Sequence, residues 1–328
     1  VPLFAENRRN RREYLPDRIA VIETALCFAF TGCMSKDQIR QIIESRMAVD
    51  GMIETGISGV KLFRATQAVP CVPAVYEPSI IAIVSGAKET VLDGKRYVYD
   101  NREYMCCPMS MPVEAGTPAA SAEAPLYGVY IALDQRLMTQ ITIEMDAAGE
   151  NMHPVEGSAR GIRLARWDDR FQDALLRLVQ LNGSGADVAV LGESRLRELY
   201  YAILTGEAGQ FARQAFAPGN AIARAISDVS SQLAEPVSVD NMAARAGMSR
   251  AVFYRRFKQA TAMTPTQFIK AMRLNNAAMK IASGVTVSEA AQDVGYVSAS
   301  QFSREFKRLY GQSPRQWGEA QALPMALG

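Results

Sequence analysis

The C-terminal third of this 328-residue chain repeats itself, and the repeat limits the possible folds more than any other feature. One copy reads Ser238-Val-Asp-Asn-Met-Ala-Ala-Arg-Ala-Gly247-Met-Ser249, followed by Phe253, Phe257, Lys258, Pro265 and Phe268. The other reads Thr286-Val-Ser-Glu-Ala-Ala-Gln-Asp-Val-Gly295-Tyr-Val-Ser298, followed by Phe302, Phe306, Lys307, Pro314 and Trp317. The offset is 48 residues up to the glycine and 49 after it. Agreement at this many positions means two copies of one supersecondary unit.

Each copy predicts helix, turn, helix. A short helix ends at Gly247 or Gly295, where a left-handed backbone suits glycine. Ser249 or Ser298 then stands where it can cap the next helix. Thr264 with Gln267, Thr286 with Glu289, Ser298 with Gln301 and Ser313 with Gln316 read as capping boxes. Pro265 and Pro314 take first helical positions. Phe253 and Phe257 point inward in the first unit, and Phe302, Phe306 and Leu309 in the second. The opposite faces carry Arg250, Ala251, Tyr254 and Arg255 in one, and Ser300, Arg304, Lys307 and Arg308 in the other, with no acid among them. Between the units, Pro265 to about Ser283 reads as one helix with Phe268, Met272, Ala278 and Ile281 toward a core. At about 1.5 Å per residue it spans near 28 Å, enough to hold two helices roughly one DNA turn apart.

A cationic, polar face on the second helix of a helix-turn-helix is what entry into a major groove requires. Arginine reaches guanine O6 and N7 with two bonds, Ser and Gln serve other edges, and Lys neutralises phosphate. The charge distribution agrees. Residues 1–218 hold 23 Lys+Arg and 27 Asp+Glu, a net of −4, while residues 219–328 hold 13 and 7, a net of +6. A basic module behind an acidic one suits a polyanionic partner.

Asn220 to Trp317 resembles the DNA-binding domain of AraC/XylS-type transcription regulators. The residues that carry the resemblance are Met242-Ala-Ala-Arg-Ala-Gly-Met-Ser249, Phe253-Tyr-Arg-Arg-Phe-Lys258, Thr264-Pro265, Arg273-Leu274, Ala290-Ala291, Val294-Gly-Tyr296, Ser300-Gln-Phe-Ser-Arg-Glu-Phe-Lys307 and Gly311-Gln-Ser-Pro314. The resemblance implies two helix-turn-helix units reading adjacent major grooves. By position it implies base contacts from Arg250, Ala251, Tyr254 and Arg255, and from Ala299, Ser300, Gln301 and Arg304. Ser249, Lys258, Ser298, Lys307 and Arg308 are expected at phosphates. Ala251 and Ala299 are small where the family often has bulky polar residues, which limits their readout to methyl contact or none.

The rest of the chain reads differently. Ser79-Ile80-Ile81-Ala82-Ile83-Val84 is an apolar strand, Thr90 to Leu92 and Tyr97 to Tyr99 flank an Asp93-Gly94 hairpin turn, and Tyr127, Val129, Ile131 and Leu133 alternate. Short strands with Gly and Pro turns predict a small sandwich or barrel. Phe63 to Asp134, with Val72-Pro-Ala-Val-Tyr-Glu-Pro78 and Ser85-Gly86, is similar to the cupin-like N-terminal domain of one subgroup of these regulators. A mostly apolar effector pocket is expected among Ile83, Tyr104, Cys106, Tyr127, Val129 and Ile131, with a filled core as the alternative. Asp168 to Leu181 and Val188 to Leu204 read as a helical hairpin whose Leu196, Leu199 and Ile203 either pack on the barrel or form a dimer seam, and a homodimer through this region is expected.

The expected architecture is therefore α+β. Residues 1–34 are an upstream extension, basic at Arg8, Arg9, Arg11 and Arg12, ahead of a start at Met34 rather than a signal peptide. A helix from Ser35 to Glu54 follows, and residues 35–160 form the cupin-like barrel, 161–218 the helical hairpin, and 219–328 the DNA-binding domain of two helix-turn-helix units joined by a long helix. One histidine, His153, leaves no metal site needing two imidazoles and no His-based triad. Five cysteines without CxxC spacing give neither a disulfide framework nor a zinc ribbon and suit a reducing compartment. No catalytic residues, cofactor, metal or membrane association are expected. The expected partners are double-stranded DNA, a second copy of the chain, a small-molecule effector, and RNA polymerase if the protein activates. The alternative is a constitutive repressor or architectural protein whose barrel binds no ligand. The cytoplasm is the expected location.

Overall fold

The computed structural model describes residues 35–150, 161–181 and 185–321. The expectations for residues 1–34 and for His153 lie outside them, as does part of the link between the two helices of the expected hairpin.

Helix α1 spans residues 35–46 and packs Ile39 and Ile43 into the core; it stops short of the expected Glu54, because Gly51–Glu54 pairs with Lys61–Arg64 as a strand. Among the described residues ten strands follow, all antiparallel, in two sheets. The first runs β1-β2-β9-β4-β7-β10, from Gly51–Glu54, Val60–Ala65, Leu126–Ala132, Ser79–Ser85, Glu103–Cys107 and Arg163–Arg166. The second runs β3-β8-β5-β6, from Val69–Tyr76, Met111–Thr117, Ala87–Leu92 and Lys95–Asp100. Strand β4 is almost wholly buried, as its run of isoleucine and valine requires. The β5–β6 hairpin turns at Asp93 and Gly94 with φ of 49° and 75°, the doubly left-handed turn that an Asp-Gly pair favours. Strand β10 lies past residue 160, so the sheet extends beyond the boundary the sequence suggested.

Helix α2 (Gln135–Ala147), α3 (Asp169–Gln180), α4 (Gly185–Thr205) and α5 (Gly209–Phe216) complete this half. Leu196, Leu199 and Ile203 do not form an exposed seam; they are 8%, 0% and 0% exposed. Helix α4 turns that stripe into its own chain, where Arg177 of α3 pairs with Glu198 at 2.6 Å and the Tyr200 hydroxyl donates to the Ala132 carbonyl. An amphipathic helix beside a sheet buries its apolar face within the monomer first, because that partner costs no association entropy.

The described residues of the basic third are all-helical: α6 (Ala221–Ser231), α7 (Val239–Arg245), α8 (Arg250–Thr261), α9 (Pro265–Ala282), α10 (Val287–Asp293), α11 (Ala299–Tyr310) and α12 (Pro314–Gln321). Gly247 and Gly295 have φ of 66° and 82°. Three capping boxes close as expected, at Thr264/Gln267, Thr286/Glu289 and Ser313/Gln316. The fourth is half formed. Ser298 accepts from the Gln301 amide, but the Gln301 side chain turns to Glu305. Phe253, Phe257, Phe302 and Phe306 are fully buried. Leu309 is 51% exposed instead of inward. Tyr310, four residues after Phe306, takes the inward position and packs on Phe306 and Trp317.

Candidate functional site

Helices α8 and α11 occupy equivalent places in the two units. Both start on a serine whose hydroxyl accepts from a backbone amide in the first turn, Ser249 from Val252 and Ser298 from Gln301. Each then buries a phenylalanine pair, with ring centroids 5.5 Å apart in both units. That pairing fixes the rotation of each helix, so the opposite side faces solvent. Arg250, Ala251 and Arg255 are exposed there and Tyr254 is half-buried; Ala299, Ser300, Gln301 and Arg304 are exposed on α11. Among the flanking positions, Ser249, Lys258, Lys307 and Arg308 are exposed and Ser298 is half-buried.

The structure adds groups that helix periodicity cannot show. Asp240 of α7 accepts two bonds from Arg250 at 2.8 and 3.0 Å, and the same guanidinium lies 5.6 Å over the Tyr254 ring. Thr266 and then Arg250 hold the Tyr254 hydroxyl below its ordinary pKa. In the second unit, Glu305 accepts from Lys270 of α9 at 3.1 Å and from the Tyr296 hydroxyl at 2.8 Å. Burial alone would push the Glu305 carboxyl up, but these bonds outweigh it and the net direction is down. The units also touch each other. Arg273 donates to the Glu235 carbonyl at 2.8 Å, and a side chain at Gly295 would meet the Ala234 and Leu233 carbonyls at 2.7 and 2.8 Å.

A second feature lies where the sheets meet α9. A cavity of about 400 Å³ is lined by Phe63, Val75, Ile81, Tyr130 and Met279, with Lys61, Lys88 and Asn276 among them. The Phe63 ring fills the space that a side chain at Gly128 would need. Lys88 is 3% exposed, and burial lowers its pKa to about 8. Lys61 sits closer to solvent, paired with Glu54 at 2.8 Å.

None of the six residues expected to line a pocket lines this one. Tyr104 stacks on Phe171 of α3 at 4.2 Å, so its side of the sheet faces the helices. The register places Ala82 opposite both Tyr104 and Val129, and Ile80 opposite both Cys106 and Ile131, so Cys106, Val129 and Ile131 share that side. Tyr127, two residues from Val129, lies in the same strand and is buried. Ile83, two residues on from the cavity-lining Ile81, shares its face of β4 but is not part of the lining. Both faces of this sheet are apolar, so alternation separates the faces without saying which one borders a lumen. The Cys106 thiol is pushed up to about 12 by burial, and Cys107 higher still, which leaves neither as a reactive thiolate.

Among the described residues, no group of three or more His, Cys, Asp or Glu side chains could hold a metal, and no helix is long and apolar enough to cross a membrane.

Residues 56–211 match the family described as AraC-type transcriptional regulator N-terminus, and residues 242–320 match a helix-turn-helix domain family. The chain is 38% identical over 81 residues to the HTH-type transcriptional regulator MtrA of Neisseria gonorrhoeae, a match covering 24% of this chain and 27% of MtrA. It is 32% identical over 81 residues to the regulatory protein SoxS of Salmonella typhimurium, covering 24% of this chain and 76% of SoxS. A structure of ToxT from Vibrio cholerae superposes with a TM-score of 0.52 at 11% identity, covering 80% of this chain and 98% of ToxT. That likeness establishes the fold across both halves. MtrA and SoxS are both regulators by name, and the match to each is confined to about a quarter of this chain. With an N-terminal half and a C-terminal repeat that each match, the chain belongs to the AraC-type family of DNA-binding transcriptional regulators.

Proposed function

We propose that this protein binds double-stranded DNA by placing α8 and α11 in successive major grooves, and that a small molecule in the cavity beside α9 controls it. The carrying observation is the equivalence of the two helices: same serine cap, same buried phenylalanine pair, and an exposed arginine-bearing face on each. Arg250, Tyr254 and Arg255, with Ser300, Gln301 and Arg304, are the proposed base readers; Ala251 and Ala299 offer only methyl contact. Ser249, Lys258, Ser298, Lys307 and Arg308 are the proposed phosphate contacts. The test is selection of duplexes from a random pool by the full chain. Recovery of two half-sites about 10–10.5 base pairs apart supports the reading. Recovery of no sequence, or of single half-sites alone, sinks it.

The effector is an apolar molecule with an anionic head. Lys61 and Lys88, with Glu77 beside them, stand in a wall otherwise made chiefly of aromatic and aliphatic side chains, and a carboxylate can accept from their ammonium groups. ToxT structures with an unsaturated fatty acid and with an aryl-butenoic acid bound keep this class in view. A monounsaturated sixteen-carbon fatty acid should raise the melting temperature, while the matching alcohol should not. If neither shifts it, the barrel is a scaffold and the regulator is constitutive.

The same reading has the protein act in the cytoplasm as a homodimer and contact RNA polymerase as an activator. A dimer would use the outward side of α4, where Val190, Leu191 and Tyr201 are exposed, because Leu196, Leu199 and Ile203 are already covered.

A further inference from the structure

The two DNA-reading units are attached to the barrel in different ways. The core of the first runs on without a break into the N-terminal half: Phe253, Phe257, Phe268 and Met272 belong to the same buried cluster as the sheets. The Gly161 amide also donates to the Ala260 carbonyl at the end of α8. The second unit has its own cluster, built on Leu274, Ala278, Ile281, Phe302, Phe306 and Trp317, with Val72 of β3 packed against its side.

One polar node joins this separate unit to the barrel. Asn275 of α9 is 5% exposed. Its side-chain amide donates to the Ala74 carbonyl of β3 and to the Val113 carbonyl of β8, both at 2.8 Å. Ala74 and Val113 lie directly opposite each other in the ladder. The Asn275 carbonyl oxygen accepts from the Tyr310 hydroxyl at 2.7 Å, at the last residue of α11. Both amide hydrogens and the oxygen are therefore engaged, on three different elements. A fully satisfied buried amide fixes geometry, because each broken bond would leave a group unpaired away from water.

The node also lies beside the cavity. Asn276 and Met279, one and four residues on, line it from α9, as do Val75 and Tyr76, next to Ala74 in β3.

We propose that Asn275 is a positioning residue for DNA binding: it locks the second helix-turn-helix unit to the edge of the barrel, so that α11 is held in a set pose relative to α8. The locked pose leaves Ala299, Ser300, Gln301 and Arg304 open to solvent. The lock therefore serves docking by lowering the ordering cost of engaging the second groove. This inference rests on the two-groove reading above.

The experiment uses the full chain and two duplexes from the selection, one with both half-sites and one with only the half-site read by α8. Wild-type protein that binds neither duplex specifically defeats the two-groove reading itself, before the variants are compared. Given wild-type binding, Asn275→Leu should weaken the two-half-site duplex roughly tenfold and leave the single half-site within about twofold. Hydrogen exchange should speed up in residues 72–76 and 306–311 together. Tyr310→Phe removes one hydroxyl and keeps the ring on Phe306 and Trp317, so it carries the test if Asn275→Leu fails to fold. It should cost about threefold alone, and nothing further when added to Asn275→Leu. Unchanged affinity in both variants, equal loss on both duplexes, or tighter binding on release overturns the proposal; the last result would make the node an inhibitory contact.

Discussion

Ala262 and Gly311 occupy the same place in the two repeats, each ending the helix that carries the recognition face, and both are left-handed, at φ of 68° and 74°. The second copy has the residue that conformation favours and the first does not. A left-handed alanine costs about 1–2 kcal/mol, and glycine returns roughly 0.4–1 kcal/mol of that to the unfolded chain. Ala262→Gly should therefore stabilise the protein by up to about 1 kcal/mol. Urea unfolding followed by circular dichroism checks this, and a destabilised variant would mean that the Ala262 methyl has packing value that outweighs the strain.

Arg255 and Arg304 are exposed, each two residues from both phenylalanines of its pair and so on the opposite side of the helix. Arg255→Ala and Arg304→Ala should keep the melting temperature and each cost about 1–3 kcal/mol of specific binding, with relaxed preference at one base position. Alanine at Lys258, Lys307 or Arg308 should weaken operator and scrambled duplex alike and reduce the salt slope by roughly one each. Titrations of both duplexes at two salt concentrations separate the classes. Equal losses on both duplexes for Arg255→Ala and Arg304→Ala would reassign those arginines to phosphate.

Asp240 holds the Arg250 guanidinium with two hydrogen bonds. It therefore restrains one proposed base reader and places an anion near the DNA face. Asp240→Asn should bind DNA more tightly, roughly threefold to tenfold at low salt, with weaker discrimination at the base Arg250 meets. Selection with the variant measures the second effect. Unaltered preference together with unaltered affinity would show that Arg250 leaves Asp240 freely on binding.

Lys88 provides a pH signature. Its folded pKa, about 8, lies below its unfolded value. Below pH 8 both states carry the proton, and desolvation of the ammonium counts against the native state. As pH rises from there toward the unfolded pKa, the native state loses its proton first, so the unfolded state binds more protons and stability increases. Lys88→Met should melt above wild type at pH 7, with the gap narrowing by pH 9.5. It should also lose the shift produced by the fatty acid. A gap independent of pH would show that packing, and not charge, separates the two proteins.

The sequence by itself determined the C-terminal third. Serine and threonine caps, prolines at first helical positions, two left-handed glycines and phenylalanines four apart are local signals, and each acts within a turn or two of chain. The outward placement of Arg255 and Arg304 follows from them, because a helix with one buried stripe has only one remaining face. Tertiary structure decided what local pattern could not. The strands of the first sheet are apolar on both sides, so the helix-facing side and the cavity side were indistinguishable until Tyr104 met Phe171 and Tyr130 met α9's neighbourhood. The stripe on α4 reads equally well as a seam between monomers or as a face within one; it is buried within the chain, where α2, α3 and α5 pack against α4. The Asn275 node joins residues 201 and 162 positions apart in sequence, and no periodicity encodes a hydrogen bond over that distance.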